Sequence, residues 1–313
     1  MQRKIAILLA TFNGSAYLRE LIHSILAQKE SAFTLYISDD DSSDDTQKIL
    51  EEFAKNFPEK IILLHLEKRS GGACAHFLQM LAYVDADIYL FADQDDIWEE
   101  NHLQKLLAAY EENNAKNLQP LLVFSDMSVI DASGNLLAPS FLKLEKLPQK
   151  VLPPHFYFVQ NNISGCVMLF NAALKNLALH DEKKLTENLS LVPMHDAFLA
   201  VTAAEFGKII FVHSPLLKYR KHAKNSLGVQ AVTQVSHIAE RFQKQRSDFL
   251  RAENFAAFFV EYFEKKLPEK ERRILEKFSK ISSQKKILRW KFLAQNGFLK
   301  AGIFRRIAQL IRW

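Results

Sequence analysis

Cysteines and long apolar segments are both scarce in this chain of 313 residues. Its two cysteines, Cys74 and Cys166, are too few for a disulfide framework and do not form a CxxC pair. We expect both to be small buried residues of a protein in a reducing compartment. No segment approaches the about 18 consecutive apolar residues of a membrane-spanning helix. The apolar run at 5–10 resembles a first buried strand rather than a signal peptide, so the sequence predicts a cytoplasmic protein.

Acidic residues are missing from the C-terminal end of the sequence. None follows Glu276, whereas ten lysines and arginines do. Residues 230–313 hold 19 basic and 8 acidic side chains, but residues 1–229 hold 22 basic and 28 acidic ones. This division of charge indicates two parts with different partners. We predict a catalytic domain at residues 1–228 and a basic, amphipathic helical extension at 229–313.

The first half of the sequence alternates short apolar runs with helical patterns. The apolar runs predict strands at Lys4–Ala10, Thr34–Ser38, Ile61–His65, Ile88–Ala92 and Leu121–Phe124. The patterns between them predict helices at Tyr17–Ala27, Thr46–Phe57, Ala73–Val84 and His102–Glu112. This alternation indicates βαβ units and a Rossmann-like α/β fold, a mostly parallel central sheet flanked by helices. The strands of such a sheet end at one edge, where ligands bind.

The middle of the sequence, Ser125–Ser214, is less regular and is interrupted by glycines and prolines. A strand is predicted at Asn162–Phe170 and a helix at Asp196–Phe206. From about Val229 onward the pattern is helical, with an interruption at Pro268. We expect the middle segment to cross the edge of the sheet and to line the side of the site that receives the second substrate, the acceptor.

Five aspartates lie within seven positions directly after the second predicted strand: Asp39, Asp40, Asp41, Asp44 and Asp45. Such close charges repel one another unless a ligand or hydrogen bonds use them. Asp44 and Asp45 are explained by capping of the next helix. Asp39 and Asp40 stand at the functional edge of the sheet, so we predict that they contact a ligand.

A second acidic cluster, Asp93-Gln94-Asp95-Asp96, follows the fourth predicted strand. Carboxylates at positions i and i+2 of a strand exit can bind one hard divalent cation beside a diphosphate. Mg²⁺ or Mn²⁺ there would neutralise a diphosphate leaving group. The alternative is a helix N-cap, but a cap needs one acid and this cluster has three.

These motifs resemble the inverting family 2 glycosyltransferases, which have the GT-A fold. The resemblance rests on Ala10-Thr11-Phe12-Asn13, the Asp39-Asp40 pair and Asp93-Gln94-Asp95-Asp96, in that order, each after a strand. The segment Phe-Ala-Asp-Gln-Asp-Asp-Ile-Trp at 91–98 is similar to the bacterial rhamnosyltransferase-like branch, which builds surface polysaccharides. The likeness extends over roughly residues 3–228.

The resemblance implies a role for each motif on the donor side. Thr11 and Asn13 would shape the nucleotide pocket, and Asp39 or Asp40 would bind the base or ribose. A glycine-containing loop at Arg69–Phe77, with Gly72, would bring its backbone close to the nucleotide. Asp93 would meet the ribose or the waters of the metal, and Asp95 would bind the metal itself. Arg220 and His222 would reach the diphosphate; a solvated loop histidine is the alternative for His222.

On the acceptor side, the resemblance implies a catalytic base in the His195-Asp196 pair. Asp196 would take the proton of the acceptor hydroxyl, with His195 as its neighbour or orienting residue. The alternative is that Asp196 is an acid favoured by the dipole of the helix it begins. Trp98, Asn162 and Gly165 would line the acceptor side.

The C-terminal segment has the composition of a helix that lies in a membrane interface. Ile303, Ile307, Leu310 and Ile311 share one helical face, flanked by arginines and Trp313. Anionic lipids would attract such a cluster by about 1 kcal/mol for each nearby cation. The alternative is a helix that packs on the catalytic domain. We expect a peripheral protein at the inner face of the cell membrane, and the resemblance implies a glycan or lipid-linked glycan acceptor.

The expected function is transfer of a sugar, rhamnose or another hexose, from a UDP- or dTDP-sugar during surface polysaccharide or lipopolysaccharide synthesis. A sugar-phosphate nucleotidyltransferase would need a glycine-rich basic loop after the first strand, which Thr11-Phe12-Asn13-Gly14 does not supply. A glycoside hydrolase needs two spaced carboxylates and stays open as an alternative. Nucleic-acid binding is disfavoured because the acidic first 229 residues would repel phosphates. A non-catalytic carbohydrate-binding protein also stays open, although Asp95 and Asp196 are both present.

Overall fold

The computed structural model describes residues 3–66, 69–113, 119–222 and 238–312. Within these ranges nine strands form one sheet: β1 (Ile5–Thr11), β2 (Thr34–Asp39), β3 (Ile61–Leu64), β4 (Ile88–Asp93), β5 (Ile97–Trp98), β6 (Leu121–Ile130), β7 (Leu136–Ala138), β8 (Met168–Asn171) and β9 (Lys208–Arg220). Their order across the sheet is β3-β2-β1-β4-β8-β6-β9-β5, and β7 pairs with β6.

The described ranges also hold twelve α-helices. They are α1 (Leu18–Leu26), α2 (Thr46–Asn56), α3 (Ala73–Tyr83), α4 (His102–Asn113), α5 (Phe141–Leu144), α6 (Ala172–Ala178), α7 (Glu182–Glu187), α8 (His195–Phe206), α9 (Ile238–Tyr262), α10 (Glu269–Phe278), α11 (Lys286–Gln295) and α12 (Ile303–Arg312). Every strand and helix predicted for the first half of the sequence is present. None of the described helices is long and apolar enough to cross a membrane.

The first four strands of the sheet are parallel, and their carboxyl ends meet at one edge. Thr11 is paired with Asp39 across β1 and β2, and Ala10 is paired with Asp93 across β1 and β4. β1 and β4 are buried along nearly their whole length because helices cover both faces of the sheet. The register therefore places both acidic clusters of the sequence side by side.

The second half of the sheet is mixed rather than parallel. β8 runs antiparallel to both of its neighbours, β4 and β6. The strand predicted at Asn162–Phe170 is wrong in its first half, where a 3₁₀ turn at Gly165–Val167 precedes β8. The reason is that the backbone N–H of Gly165 donates to the side chain of Asp196 instead of to a neighbouring strand. This departure from the sheet brings the turn to the ligand-binding edge.

β6 continues six residues beyond the predicted end at Phe124 because it has a long partner. It pairs in parallel with β9 from Leu121 to Ile130, with irregularities around Asp126. Ser125 and Asp126 break the apolar run in the sequence, so the continuation is not visible there. β9 then carries the chain back to the edge of the sheet and ends at Arg220, beside the acidic loop that follows β4.

The C-terminal helices share a hydrophobic core with the sheet. α9 and the residue that follows it bury a row of phenylalanines spaced by about one helical turn, Phe255, Phe259 and Phe263. Phe259 packs against Phe158 and Phe206 of the N-terminal part. Burial of each such ring contributes roughly 2 kcal/mol. α9 to α11 thus pack on the N-terminal part through its helices and share one hydrophobic core with the sheet.

Candidate active site

The hydroxyl of Thr11 orients the carboxylate of Asp39 where β1 and β2 end. Thr11 is buried, and its Oγ1 donates to Asp39 Oδ1 over 2.8 Å. Ser42 adds its hydroxyl to Oδ1 at 2.5 Å and its backbone N–H to Oδ2 at 2.9 Å. The chain reaches Ser42 through Asp41, whose φ of 68° is in the left-handed region that aspartate tolerates. Asp39 is therefore held in a single orientation.

Asp40 is held by the loop that precedes α3. Ser70 donates its backbone N–H to Oδ1 over 2.6 Å and its hydroxyl to Oδ2 over 2.7 Å. Burial by itself would raise the pKa of Asp40, but the bonds from Ser70 and the nearby His76 and Arg69 lower this pKa below its usual value. Asp40 is ionised at neutral pH and links β2 to this loop. Gly72 ends the loop with a φ of 154°, which favours glycine.

A cavity of about 310 Å³ opens beside these acids. One wall carries Arg69, whose guanidinium carbon lies 4.9 Å from the centre of the Phe12 ring. The space thus offers carboxylates as acceptors for hydroxyl and N–H groups, together with the cation of Arg69 and the ring of His76. Such a lining suits a nucleoside. The lining residues are Ser38, Asp39, Asp40, Asp41, Gln47, Leu66, Arg69 and His76.

Gln94 joins the loop after β4 to the loop after β1. Its Oε1 accepts from the backbone N–H of Phe12 over 2.9 Å, and its Nε2 donates to the carbonyl of Phe12 over 3.0 Å. A Cβ atom at position 14 would lie 2.2 Å from Gln94 Oε1, so a larger residue there would displace this side chain from Phe12. Asn13, with a φ of 49°, accepts the backbone N–H of Ser43 at its Oδ1 over 2.8 Å. Asn13 and Gln94 therefore join the two acidic loops to the end of β1.

The loop after β4 concentrates negative charge in a region of low exposure. Burial, and then the charges of Asp95 and Asp196, raise the pKa of Asp93 to about 7. Burial and the charges of Asp95 and Asp93 raise the pKa of Asp96 well above its usual value. Oδ1 of Asp96 accepts the backbone N–H of Arg220 over 3.1 Å, but its buried Oδ2 has no hydrogen-bond partner in the described part of the chain.

Arg220 holds the loop after β4 in place through hydrogen bonds. Its side chain is 2% exposed, and Nε donates to the carbonyl of Asp95 over 2.9 Å. Its other nitrogens donate to the carboxylate of Glu20 and, over 3.1 Å, to the carbonyl of Ala132. The guanidinium also lies over the ring of Tyr17. These contacts orient the backbone of the acidic loop, and they direct the charge of Arg220 toward protein groups rather than toward the cavity.

His222 contacts the acidic loop directly. Its Nε2 lies 2.7 Å from Asp95 Oδ2, and its ring packs against Tyr17. Both side chains of the pair are about one-sixth exposed. Because a carboxylate can only accept, Nε2 carries the hydrogen in this contact. His222 is therefore part of the site and not a solvated loop residue.

Asp196 stands in the first turn of α8 with both oxygens oriented by backbone N–H groups. Oδ2 accepts from Gly165 over 3.2 Å, and Oδ1 accepts from Ala197 over 2.6 Å. Burial raises the pKa of Asp196 to about 6, although these bonds oppose the shift. A carboxylate with this pKa is a suitable general base near neutral pH.

His195, the neighbour of Asp196, points away into an aromatic cluster. Its ring packs on Phe77 and Phe91, with centroids 4.4 and 4.8 Å away. Burial lowers the pKa of His195 to about 3, so the ring is neutral. A Cβ atom at position 165 would lie 2.8 Å from His195 Nε2, which explains why glycine occurs there. The ring of His195 thus leaves room for the 165–167 turn, which contacts Asp196, only when residue 165 has no side chain.

The donor set around Asp93 fits a hard divalent cation. Atoms of Asp93, Asp96 and Cys166 that can bind metal lie within 4.8 Å of one another. Burial and these acids raise the pKa of Cys166, so its thiol is protonated and is no ligand for Mg²⁺. The buried Oδ2 of Asp96, which has no hydrogen-bond partner among the described residues, would be satisfied by a bound cation. Asp93 and Asp96 are the oxygen ligands of this group, and Asp95 lies outside it with its Oδ2 bonded to His222.

Two residues predicted for the acceptor side are buried and do not border the cavity. Trp98 is 3% exposed and packs on His102 at 4.2 Å in the core beneath β5. Asn162 is 4% exposed and donates to the carbonyls of Pro148 and Lys150. Trp98 is inside because β5 pairs with β9 at Leu217, and Asn162 because it holds the preceding loop. His195 and Arg220 are equally buried, at 5% and 2% exposed, and their side chains point into the protein. The other predicted residues lie at this edge of the sheet: Thr11, Asn13, Asp39, Asp40, Gly72, Asp93, Asp95, Gly165, Asp196 and His222.

Sequence reasoning missed the residues that orient the acids. Gln94 was visible as the second residue of the Asp93–Asp96 motif, but its partner Phe12 is 82 positions away. Ser42 and Ser70 are common loop residues, and no local pattern marks them as partners of Asp39 and Asp40. Asp96 could have been found as the third acid of its cluster.

The protein therefore has an α/β fold with a cavity at the carboxyl ends of its parallel strands. Beside the cavity lie an acidic loop that can bind a cation and the carboxylate of Asp196, which can act as a base. The family model described as glycosyl transferase family 2 matches residues 6–175, more than half of the chain. The chain therefore belongs to the family 2 glycosyltransferases and is an enzyme of that class.

Named relatives agree with this assignment. The chain is 28% identical to the dTDP-rhamnosyl transferase RfbG of Shigella flexneri over 227 aligned residues. This alignment covers 70% of this chain and 73% of RfbG. An uncharacterized glycosyltransferase of Rickettsia prowazekii is 25% identical over 253 residues, 79% of this chain and 71% of the relative.

Solved structures agree with the fold. S. aureus TarS, residues 1–349, matches with a TM-score of 0.55 and 17% identity, over 98% of this chain and 78% of TarS. The mannosyltransferase PcManGT from Pyrobaculum calidifontis, in complex with GDP-Man and Mn²⁺, matches with a TM-score of 0.50 and 15% identity. That match covers 100% of this chain and 84% of PcManGT. The predicted GT-A type of fold is confirmed by these likenesses.

Proposed function

We propose that this enzyme transfers a sugar from a nucleoside-diphosphate donor to an acceptor hydroxyl, with inversion at the anomeric carbon. The observation that supports this proposal best is the position of Asp196. It lies close enough to Asp93 for its charge to raise the pKa of Asp93, on the side of the acidic loop where Gly165 approaches. A base on one side of a sugar and a diphosphate-binding loop on the other is the arrangement that direct displacement requires.

In the proposed reaction, Asp196 accepts the proton of the acceptor hydroxyl. The acceptor oxygen forms a bond to the anomeric carbon while the bond from that carbon to the diphosphate oxygen breaks. The nucleoside diphosphate leaves with the bonding electron pair, and the proton remains on the carboxyl of Asp196. The backbone N–H groups of Gly165 and Ala197 orient the carboxylate for this transfer.

The residues Asp93, Asp95 and Asp96 would hold Mg²⁺ or Mn²⁺. When bound, such an ion neutralises the diphosphate as negative charge develops on it. His222 orients the carboxylate of Asp95, and Arg220 orients the backbone of the same loop. Arg220 would thus act on the donor through the loop rather than by direct contact.

We propose that the donor is a pyrimidine nucleoside-diphosphate sugar, and dTDP-rhamnose is the donor to assay first. The nucleoside would occupy the cavity beside Asp39 and Asp40, near Arg69. The support for deoxythymidine and rhamnose is the similarity to the dTDP-rhamnosyl transferase RfbG. UDP-hexoses are the alternative donors, because TarS, which shares the fold, has been solved with UDP-GlcNAc.

We further propose that α12 contacts a membrane surface, where a lipid-linked glycan would be the acceptor. Its polar face is docked, since Gln309 is 3% exposed and bonds to the backbone of Lys300 and Phe298. Its apolar face points outward, with exposed fractions of 62% for Ile303 and 83% for Phe304. Exposed apolar side chains on a helix without acidic residues suit an anionic bilayer.

The test of the transfer reaction is release of nucleoside diphosphate from dTDP-rhamnose and from UDP-hexoses, with and without Mn²⁺. The Asp196→Asn variant should reduce kcat by about 10² to 10⁴ and leave donor binding nearly unchanged. Asp85→Asn is the matched control, because Asp85 is an exposed acid near the opposite end of β4. Full turnover by Asp196→Asn would eliminate Asp196 as the base.

A further inference from the structure

Three side chains from distant parts of the sequence converge far from the sheet edge that binds the donor. His155 lies in the 3₁₀ helix Pro154–Phe158, Glu205 lies in the last turn of α8, and Glu271 lies in the first turn of α10. One ligand atom of each lies within 4.8 Å of the other two. Glu205 is nine residues from Asp196 along α8, or roughly 13 Å. The cluster is therefore separate from the active site, and it joins the catalytic part to the C-terminal helices.

The ring of His155 is fixed with one nitrogen aimed at the two carboxylates. Nδ1 lies 2.6 Å from the carbonyl oxygen of Asn296, and because a carbonyl can only accept, Nδ1 carries the hydrogen. The ring also stacks on Phe298, at 4.6 Å and an interplanar angle of 5°. Nε2 lies 3.0 Å from Glu271 Oε2 and 3.9 Å from Glu205 Oε1. Without an ion, Nε2 donates a hydrogen to Glu271, and a bound metal ion would take the place of that proton. A histidine that donates its other N–H to a backbone carbonyl is the usual arrangement of a metal ligand.

The carboxylate of Glu205 gives independent evidence that a cation binds between the three side chains. Its side chain is 2% exposed, and Oε1 has no hydrogen-bond partner in the described part of the chain. A buried carboxylate without a hydrogen bond is costly unless a cation neutralises it.

We propose that His155 Nε2, Glu205 and Glu271 bind one divalent transition-metal ion of the Zn²⁺ class. An imidazole nitrogen together with carboxylates favours Zn²⁺ over Mg²⁺, which prefers oxygen ligands alone. Ligands of a tetrahedral zinc ion, at about 2.1 Å from the metal, are roughly 3.4 Å from one another. The two measured separations from Nε2, 3.0 and 3.9 Å, bracket that value. Two carboxylates balance the charge of the ion, and a water molecule completes its coordination.

The position of the site assigns it a structural role. Its three ligands come from the segment before the 165–167 turn, from the helix that carries Asp196 and from the C-terminal extension. A bound ion would connect the docked extension to the end of α8, in addition to the phenylalanine contacts of α9. This inference is independent of the proposed function, because it holds for any reaction at the sheet edge.

The experiment uses the full-length protein, freed of metal with a chelator and then titrated with ZnCl₂ in millimolar Mg²⁺. We expect one equivalent of zinc to bind and the melting temperature to rise with it. Glu205→Gln and His155→Gln should bind at least tenfold more weakly. Glu205→Gln removes a buried charge, so it should fold at least as well as the wild type. Asp95→Ala, which alters only the donor site, should keep the zinc.

Two results would overturn the proposal. One is zinc binding that is lost in Asp95→Ala but retained in Glu205→Gln, which would place the ion at the sheet edge. The other is no zinc binding to the wild type. X-ray absorption of the zinc-loaded wild type needs no variant: one imidazole with oxygen neighbours supports the site, and sulfur or several imidazoles contradict it.

Discussion

His222 Nε2 lies 2.7 Å from Asp95 Oδ2, so a residue just after β9 holds a carboxylate 127 positions earlier in the sequence. If Asp95 binds the metal, His222 is the partner that orients this ligand. Such partners typically contribute 10- to 100-fold to metal affinity.

We therefore expect His222→Ala to weaken Mn²⁺ activation by about tenfold or more while leaving the fold intact. The measurement is the Mn²⁺ concentration that gives half-maximal release of nucleoside diphosphate. His213→Ala is the control, because His213 is an exposed histidine on β9. An unchanged Mn²⁺ requirement in His222→Ala would separate His222 from the metal.

Gly165→Ala should impair catalysis without affecting donor affinity. The added methyl group would meet His195 Nε2 at 2.8 Å and would push the 165–167 turn away from Asp196. We expect kcat to fall at least tenfold at an unchanged KM for the donor. Gly134→Ala is the control, because no atom lies within 4 Å of a Cβ there, although its φ of 87° adds strain. Rescue of kcat by a second change, His195→Ala, would locate the cause in this contact.

The activity of the enzyme should depend on pH through Asp196. Burial raises the pKa of Asp196 to about 6, and the carboxyl is a base only when deprotonated, above that pKa. The kcat/KM value should therefore fall about tenfold per pH unit on the acid side. The midpoint should lie at or below pH about 6, because a cation near Asp93 would lower this pKa further. Asp196→Asn should lose this acid limb, and its persistence would assign the limb to another group.

Arg220 gives a prediction that separates a supporting role from direct binding of diphosphate. Arg220→Lys would lose most of the contacts that the buried guanidinium makes to Asp95, Ala132 and Glu20. We expect a loss of about 2 kcal/mol or more, or roughly 5 °C in melting temperature. Glu20→Gln is the control, because Glu20 is half exposed and should cost less. A variant of normal stability with a raised donor KM would favour direct contact with the diphosphate instead.

Membrane contact is best tested at Phe304. This ring is 83% exposed on α12, and Phe304→Glu should reduce binding to anionic vesicles at least tenfold. The control is Tyr83→Glu, an aromatic residue that is 68% exposed at the end of α3. Deletion of the chain after Glu276 would be a poor experiment, because Phe278, Phe292 and Phe298 are buried in the core. Equal binding by Phe304→Glu and the wild type would contradict the proposed membrane contact.

The sequence predicted the parallel half of the sheet and the clustering of its acids, because those features are local. Apolar runs define β1 to β4, and parallel strands necessarily bring Asp39 and Asp93 to one edge. The contacts that orient these acids could not be predicted, because partners such as Gln94 and Phe12 are far apart in sequence. The charge of the C-terminal extension favoured membrane contact, with packing on the catalytic domain as the alternative, and its phenylalanines gave no sign of which surface they cover.

Single motifs also did not show which way a side chain points. Trp98 lies next to an acidic motif, which favoured a role at the site, yet pairing of β5 with β9 turns its side chain inward. Arg220 has the charge expected of a diphosphate ligand, but that charge is directed at the loop behind the cavity. In both residues the side-chain type was informative, and the direction of the side chain depended on β9, which is more than 100 positions from the motif.

The shared core of α9 and the sheet has a consequence for biosynthesis. The nascent chain emerges with the acidic edge, the sheet and α8 first, while Phe255, Phe259 and Phe263 are still to be made. The last 80 or so residues take roughly 5 to 15 s to translate. During that interval the apolar surface around Phe158, Phe198 and Phe206 lacks its cover. The ribosome-bound intermediate should therefore be the stage at which this protein depends most on chaperones.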